Sequence, residues 1–246
     1  MHRFYAEEDP NPEGLYPLSP EDARHALTVL RLKAGQQVEL IRDGLRYQSV
    51  IDHAGKNEVL IRPMTSLPST EPALSITLYQ GLPKGEKMDW IVQKATELGV
   101  ASIVPVMMER SVSRPSAADM ERKRARWNKI AREAGKQSGR CRLPEVTGAL
   151  NLSELAESRL QPAVKVVPWE EAVGFGPLAL RDQYQGITSL GILIGPEGGI
   201  SPAEIRQLEA EGFLPMTLGK RILRAETASV AAIAAMMCLW GEMETA

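Results

Sequence analysis

The residue types best suited to chemistry crowd into residues 219–227, Gly219-Lys220-Arg221-Ile222-Leu223-Arg224-Ala225-Glu226-Thr227. Three cations and a carboxylate stand there at the mouth of what reads as a helix. A helix N-terminus carries partial positive charge, so stability alone would put acids in that place. Cations held there suit contact with an anion, or stabilisation of negative charge as it develops, with Glu226 offsetting part of the repulsion. Ile222 and Leu223 are apolar residues in a polar loop; they could wall an adenine pocket or anchor the loop to the core. A second stretch, Gly195-Pro196-Glu197-Gly198-Gly199, offers backbone N–H and C=O groups instead of charge. Such groups can read an adenine edge or a ribose, although glycines after a buried strand also serve simply as a tight turn. The spacing matches neither the dinucleotide fingerprint nor the P-loop, which disfavours both kinds of phosphate site.

The third feature is charge. Between Arg110 and Arg142 eleven Lys and Arg face only Asp119, Glu121 and Glu133, in a chain whose net charge is −2. The rest of the protein is therefore acidic, and such segregation is the footprint of a polyanion partner, RNA or DNA. An ordinary solvated helix face is the alternative. Arg122, Arg126, Lys129 and Lys136 recur at helical spacing on one face, while Trp127, Ile130 and Ala134 fall on another.

Other chemistries find little support. His2, His25 and His53 all lie near the N-terminus, with no Ser-His-Asp set and no metal-ligand cluster. Hydrolase and metalloenzyme readings are weakened, and no metal is expected. Cys141 and Cys238 stand far apart in sequence, outside any CxxC, which suits a reducing compartment without disulfides. The first residues lack the apolar core of a signal peptide, and the uncharged run 227–241 is too short to span a bilayer. The expectation is a cytoplasmic protein with no membrane partner.

These residues need elements to position them. Ile192-Leu193-Ile194 reads as a short buried strand ahead of the first glycine loop. Ser201-Pro202-Ala203-Glu204 then restarts the chain as a helix, with Ser201 as N-cap, Pro202 at the first helical position and Glu204 closing a capping box. Residues 214–218 form a strand ahead of the second loop, and a long helix follows from Thr227 to Trp240. That helix is apolar on every side, which predicts burial all round: either in the core of one chain, or with one side against a partner subunit. Two such loops can lie side by side at the carboxyl edge of a parallel sheet, where open α/β folds bind ligands.

Earlier residues extend the same rhythm. Strands are expected at 76–79, 103–106 and 163–167, and helices at 88–98, 117–138 and 152–160; the alternation predicts an α/β domain with a mainly parallel sheet. Residues 1–62 look different. Ser19-Pro20-Glu21-Asp22 caps a short helix, and Asp43-Gly44 is a hairpin turn signal between period-two strands. Lys56-Asn57 is a second candidate turn. Several short strands in so few residues suggest a small barrel. Residues 63–73, with three prolines and four Ser or Thr, form the best linker candidate.

Long motifs then identify a family. The strings Leu82-Pro83-Lys84-Gly85-Glu86-Lys87-Met88-Asp89-Trp90-Ile91-Val92-Gln93-Lys94-Ala95-Thr96-Glu97-Leu98-Gly99-Val100, Arg126-Trp127-Asn128-Lys129-Ile130-Ala131-Arg132-Glu133-Ala134 and Gln137-Ser138-Gly139-Arg140 resemble the RsmE family of ribosomal RNA methyltransferases. So do Ile194-Gly195-Pro196-Glu197-Gly198-Gly199 and residues 218–228, and His25 with Val29-Leu30-Arg31-Leu32 is similar to the family's N-terminal signature. The resemblance covers nearly the whole chain. Ala225 departs from the pattern, where many relatives have Thr.

The resemblance implies a PUA-like RNA-binding β-barrel over residues 1–70 and a SPOUT-type α/β methyltransferase domain over 74–246, its C-terminal part threaded into a trefoil knot. It implies S-adenosylmethionine as methyl donor, a homodimer, and methylation of N3 of one uridine in small-subunit ribosomal RNA or the ribosomal subunit. Arg224 is then the candidate anion-stabilising residue and Arg221 its helper or a phosphate clamp. Glu197 or Glu226 is the candidate base. Gly195, Pro196, Glu197, Gly198, Gly199, Leu218, Gly219, Ile222 and Leu223 would hold the cofactor, with residues that follow the 163–167 strand. Arg3, Arg31, Lys84, Lys87, Arg110, Arg114, Arg122, Arg126, Lys129 and Arg140 are the candidate RNA contacts. A non-catalytic RNA-binding protein and a transfer RNA methyltransferase of the same architecture are the alternatives.

Overall fold

The computed structural model describes residues 1–56 and 58–244; Asn57, half of the second candidate turn, lies outside them. The chain forms two compact units, Met1–Glu71 with Lys136–Arg142, and Pro72–Gly135 with the residues from Leu143 onward.

The first unit holds strands β1 (Arg3–Tyr5), β2 (Tyr16–Pro17), β3 (Gln37–Arg42), β4 (Leu45–Ala54) and β5 (Val59–Leu67) in the order β1-β3-β4-β5-β2. β1 runs parallel to β3 and the other neighbours are antiparallel. Helix α1 (Pro20–Arg24) starts as expected, with Ser19 accepting from the Asp22 N–H, and runs on into one wide turn, His25–Val29. Asp43 (φ 52°) and Gly44 (φ 77°) both take left-handed backbone, the two-residue turn that matches strand twist. Phe4, Val38, Leu40, Ile51 and Ile61 form the core.

Two expectations change in this unit. The linker is shorter than 63–73, because β5 continues through Leu67. Residues 136–142 also belong here, although a pattern reading gives them to the second domain. Arg140 is buried and donates to both Glu71 carboxylate oxygens, and Oε1 also accepts the Cys141 and Arg142 N–H groups. Tyr5 Oη donates to the Arg140 carbonyl at 2.7 Å, and Lys136 pairs with buried Asp22 at 2.6 Å. Lys136 is therefore not one of a row of solvated cations.

The second unit is a parallel sheet. Its longer strands are β6 (Ser75–Gly81), β7 (Ser102–Met107), β10 (Val164–Pro168), β11 (Ser189–Ile194) and β12 (Phe213–Met216). Two short strands, β8 (Glu145–Val146) and β9 (Leu150–Asn151), pair with β7. The order is β12-β10-β11-β6-β7-β8, and every pairing is parallel. β11 thus lies between two strands that precede it in the chain. Helices α2 (Lys87–Glu97), α3 (Ala117–Ser138), α4 (Pro177–Gln183), α5 (Pro202–Ala210) and α6 (Ala225–Leu239) connect or follow the strands. The expected helix at 152–160 is a 3₁₀ segment, Leu152–Glu157. Leu78, Ile91, Ile103, Val166, Ile192 and Ile233 belong to one apolar core.

α6 is not buried all round. It packs against α2, α4, β6 and β11 through Ser229, Ala232, Ile233, Met236 and Met237. Thr227 and Cys238 are exposed, and Val230, Ala231 and Ala234 are half-buried. Composition could not separate the two faces, because small apolar residues occupy both.

A candidate cofactor cleft at the carboxyl edge of the sheet

Three loops leave the carboxyl ends of the adjacent strands β10, β11 and β12. The β10 and β12 loops are tied by backbone: Trp169 N–H donates to Met216 O at 3.0 Å, and Thr217 N–H to Phe175 O at 2.8 Å. Between them opens a cavity of about 440 Å³, within the size range of small-molecule sites. A smaller one of about 80 Å³ adjoins it, and Pro168, Glu170, Ile222, Leu223 and Ala228 border both.

The β11 loop forms one wall, and all five residues 195–199 line the larger cavity. Its glycines answer to geometry. Gly199 has φ +73° and closes a turn, its N–H donating to Pro196 O at 2.9 Å. A Cβ on Gly198 would lie 2.9 Å from Arg110 Cβ and 3.0 Å from the Arg110 carbonyl oxygen. The Arg110 guanidinium in turn donates to Gly198 O at 3.2 Å. α5 begins with the expected capping box: Ser201 Oγ accepts from Glu204 N–H, and Glu204 accepts from Ser201 N–H at 2.9 Å. Glu204 is buried and also accepts the Glu109 N–H at 2.7 Å, while Ser201 Oγ donates to Glu109 Oε2 at 2.7 Å. The β7 loop is thereby stitched to the β11 loop.

The β12 loop forms the facing wall. Arg224 is the N-cap residue of α6, with extended backbone and an exposed side chain at the larger cavity; Arg221 borders the smaller. Neither side chain has a hydrogen bond or ion pair among the described residues. Leu218 and Gly219 line the smaller cavity only. Leu223 is half-buried, whereas Ile222 is 88% exposed and so does not anchor the loop to the core. Beneath the cleft, Ser229 Oγ donates to Gln80 Oε1 at 2.6 Å, both residues being fully buried.

The two candidate bases differ. Glu197 accepts the Lys84 N–H at 3.1 Å and pairs with Lys87 Nζ at 2.9 Å. Partial burial pushes its carboxyl up, but the Lys87 ammonium and the backbone donors outweigh that, holding it below the usual carboxylate range. The hydrogen bond from Lys87 raises the lysine's own pKa. The buried Oε2 of Glu226 pairs with Lys87 Nζ at 3.5 Å and has no hydrogen-bond partner among the described residues. Glu226 does not line either cavity. Lys87, which the sequence reading groups with RNA contacts, borders the larger cavity.

The remaining candidate RNA contacts scatter. On α3, Arg122, Arg126 and Lys129 are exposed while Trp127 and Ala134 are buried and Ile130 is half-buried, as helical spacing predicts. Arg122 pairs with Asp119, and Arg126 with Asp89 and Glu86. Arg114 donates to Glu109 O at 3.2 Å. In the first unit Arg3 pairs with Glu39 at 2.7 Å, and Arg31 is exposed with φ 52°. The Lys84 side chain is exposed. Arg140 is the exception: it is buried against Glu71 and cannot present its guanidinium to an RNA. Among the lining residues that sequence reasoning left unnamed are Pro168, Trp169 and Glu170; only their position at a strand end points to them. No group of three or more potential metal ligands occurs among the described residues, and no helix among them is long and apolar enough to cross a membrane.

Comparison with known proteins agrees with this architecture. Residues 70–237 match the family model of an RNA methyltransferase domain, and residues 18–64 that of an RNA methyltransferase PUA domain. The chain is 34% identical over 229 residues to ribosomal RNA small subunit methyltransferase E of Bacillus subtilis, covering 90% of this chain and 89% of that one. It is 32% identical to the Aquifex aeolicus protein of the same name, over 96% of this chain and 99% of that one. A crystal structure of ribosomal RNA small subunit methyltransferase E from Neisseria gonorrhoeae bound to S-adenosyl methionine superposes with a TM-score of 0.85 at 33% identity, covering 98% of each chain. A parallel α/β sheet with a cleft at its carboxyl edge, a separate PUA unit and identity along nearly the whole length lead to one conclusion: the chain belongs to the ribosomal RNA small subunit methyltransferase E family.

Proposed function

We propose that this protein transfers a methyl group from S-adenosylmethionine to N3 of a uridine in small-subunit ribosomal RNA. The observation that carries the proposal is the cleft, where a 440 Å³ cavity walled by bare glycine backbone opens beside the unpaired Arg224 guanidinium. The cavity and its smaller neighbour together suit the cofactor in volume, and the glycines leave N–H and C=O groups bare for its polar edges. Gly195, Pro196, Gly198 and Gly199 would hold it from one side, and Leu218, Gly219, Ile222 and Leu223 from the other. The cofactor supplies an electrophilic methyl group.

The chain's own residues supply the rest. Uridine N3 carries a proton at neutral pH, and removing it spreads negative charge onto O2 and O4. Arg224, exposed and uncommitted, stabilises that charge, with Arg221 beside it as a helper or phosphate clamp. Glu197 is poorly suited as the base, because its carboxylate is spent on Lys84 and Lys87 and binds protons weakly. Glu226, whose Oε2 meets Lys87 Nζ only at 3.5 Å and accepts no hydrogen bond among the described residues, is the remaining candidate. Lys87 joins the two carboxylates and so links the β11 loop to the first turn of α6. Uridine must be unpaired to expose N3.

The same reading extends to architecture. Residues 1–70 act as the RNA-binding PUA-like barrel and 74–246 as the methyltransferase domain. The insertion of β11 between β6 and β10, followed by return to the β12 edge, supports a trefoil knot. The half-buried face of α6 supports a homodimer. Arg122, Arg126 and Lys129 provide the strongest RNA-facing cluster, and Arg140 is withdrawn from it. The site of action is the cytoplasm. The test is to incubate the purified protein with labelled S-adenosylmethionine and undermethylated small subunits, then map the modified base. Label at uridine N3 of the small-subunit RNA is expected. No label in the small subunits, with label in transfer RNA offered in a parallel incubation or in neither, would overturn the assignment.

A further inference from the structure

One carboxylate of the cleft remains unassigned. Glu170 follows β10 directly after Trp169, whose N–H bond to Met216 O sets where the next residue emerges. It borders both cavities. Glu197 is the only other carboxylate lining either one among the described residues, and Glu197 is already saturated. Glu170 has no hydrogen bond or ion pair among the described residues. Its Oε1 lies 3.1 Å from where a Cβ on Gly199 would stand, so it faces bare backbone across the cleft.

The two cavities differ in character. Trp169 and Leu218 line only the smaller cavity and give it an apolar side that suits a flat base, with Arg221 at its edge, while Leu223 and Ala228 line both cavities. Lys87 and Arg224 give the larger one its charge. A nucleoside with its base in the first and its charged tail in the second must cross the seam where Glu170 sits. The part of a nucleoside between base and 5′ substituent is the ribose, whose 2′ and 3′ hydroxyls are donors. A carboxylate offers two acceptor oxygens and no competing donor. We infer that Glu170 accepts hydrogen bonds from both ribose hydroxyls of the bound cofactor and selects ribonucleoside over deoxyribonucleoside ligands. The inference rests on the cofactor reading given above.

The test is calorimetric titration of the full-length protein and its Glu170→Ala and Glu170→Gln variants. The ligands are S-adenosylmethionine, S-adenosylhomocysteine and the 2′,3′-dideoxy analogue of the latter. Wild type is expected to bind the dideoxy compound about tenfold or more weakly than S-adenosylhomocysteine, the scale of a hydrogen bond to a charged group. Glu170→Ala should lose a similar factor against S-adenosylhomocysteine and no longer distinguish the two, and Glu170→Gln should fall between. Glu170 is exposed, so unliganded melting temperatures should match. Wild-type affinity in both variants overturns the inference and leaves the cofactor reading standing. So does a loss confined to S-adenosylmethionine, which would place the carboxylate at the sulfonium, and so does undiminished discrimination in Glu170→Ala. Failure of the wild type to bind any of the three ligands removes the cofactor reading and this inference with it.

Discussion

The substitution Gly198→Ala tests the cleft with the smallest possible change. Gly198 is outside the positive-φ glycines, so the backbone itself accepts alanine. The added methyl, however, would lie 2.9 Å from Arg110 Cβ and 3.0 Å from the Arg110 carbonyl oxygen, closer than real Cβ contacts allow. One of those neighbours is backbone and the other is the rigid root of a side chain, so neither can swing aside. Arg110 is also held in place, because the preceding residue, Glu109, is bonded to Ser201 and Glu204 at the start of α5. The strain must therefore move the β11 loop, the β7 loop, or both. Overpacking of this kind costs about 1–3 kcal/mol. If the β11 loop yields, that cost falls on ligand binding, where about 1.4 kcal/mol is tenfold. Calorimetric titration with S-adenosylhomocysteine should show affinity reduced about 5- to 100-fold on that scale, with a lowered melting temperature where the strain stays in the free protein. Gly148→Ala is the control, since nothing lies within 4 Å of its Cβ position and its φ is not positive. Arg110→Gly removes the offending Cβ, so the double variant should lose less than the sum of the two single losses. Unchanged affinity and melting temperature in Gly198→Ala would refute the claim that this contact shapes the cleft.

Further predictions concern charge. Glu71→Ala should destabilise the first unit by about 1–3 kcal/mol in urea titrations, because it removes the carboxylate bonded to the buried Arg140 guanidinium and the acceptor of two backbone N–H groups. Arg224→Ala should lower methyl transfer at saturating S-adenosylmethionine by about 10²–10³, the scale of losing one group that stabilises developing charge. Replacing Arg122, Arg126 and Lys129 with Gln should flatten the salt dependence of RNA binding by about two to three units of slope, against an unchanged slope if these are only solvated side chains. Burial pushes the Glu39 carboxyl up, but Arg3 and Arg46 outweigh it and hold it below its ordinary value of 4.5. Its folded-state pKa is therefore depressed, so its contribution is complete above pH 4.5 and is lost as pH falls through the lower folded value. The stability gap between wild type and Glu39→Gln should stay constant from neutral pH to about 5 and close only below that, as read by denaturant midpoints.

How much of this was legible beforehand depends on the range of the interactions. The capping box at Ser201 and Glu204 could be read directly, because all its partners lie within four residues. The Asp43-Gly44 turn and the span of α3 followed from equally local rules. The alternation of strands and helices predicted a parallel sheet, and the strand-to-helix loops at 195–199 and 219–224 pointed to its carboxyl edge. Side-chain fates were another matter. Arg140 looked like one more cation in a basic run and turned out to be buried 69 residues from its partner. Lys87 looked like a surface cation and borders the cavity, paired with Glu197 and Glu226. α6 looked uniformly buried, and its exposed face emerged only from the packing of α2, α4, β6 and β11 around it.

By itself the sequence determined the elements, the loops that carry glycine and arginine, and the family, since backbone propensity, capping and long motifs are written in consecutive residues. Tertiary structure alone decided which charges are spent. An ion pair forms between side chains brought within a few ångströms by strand order, and strand order is not local. That is why Glu197 is neutralised while Arg224 stays free, and why Glu170, one acid among 31 in the sequence, stands at the seam of the two cavities.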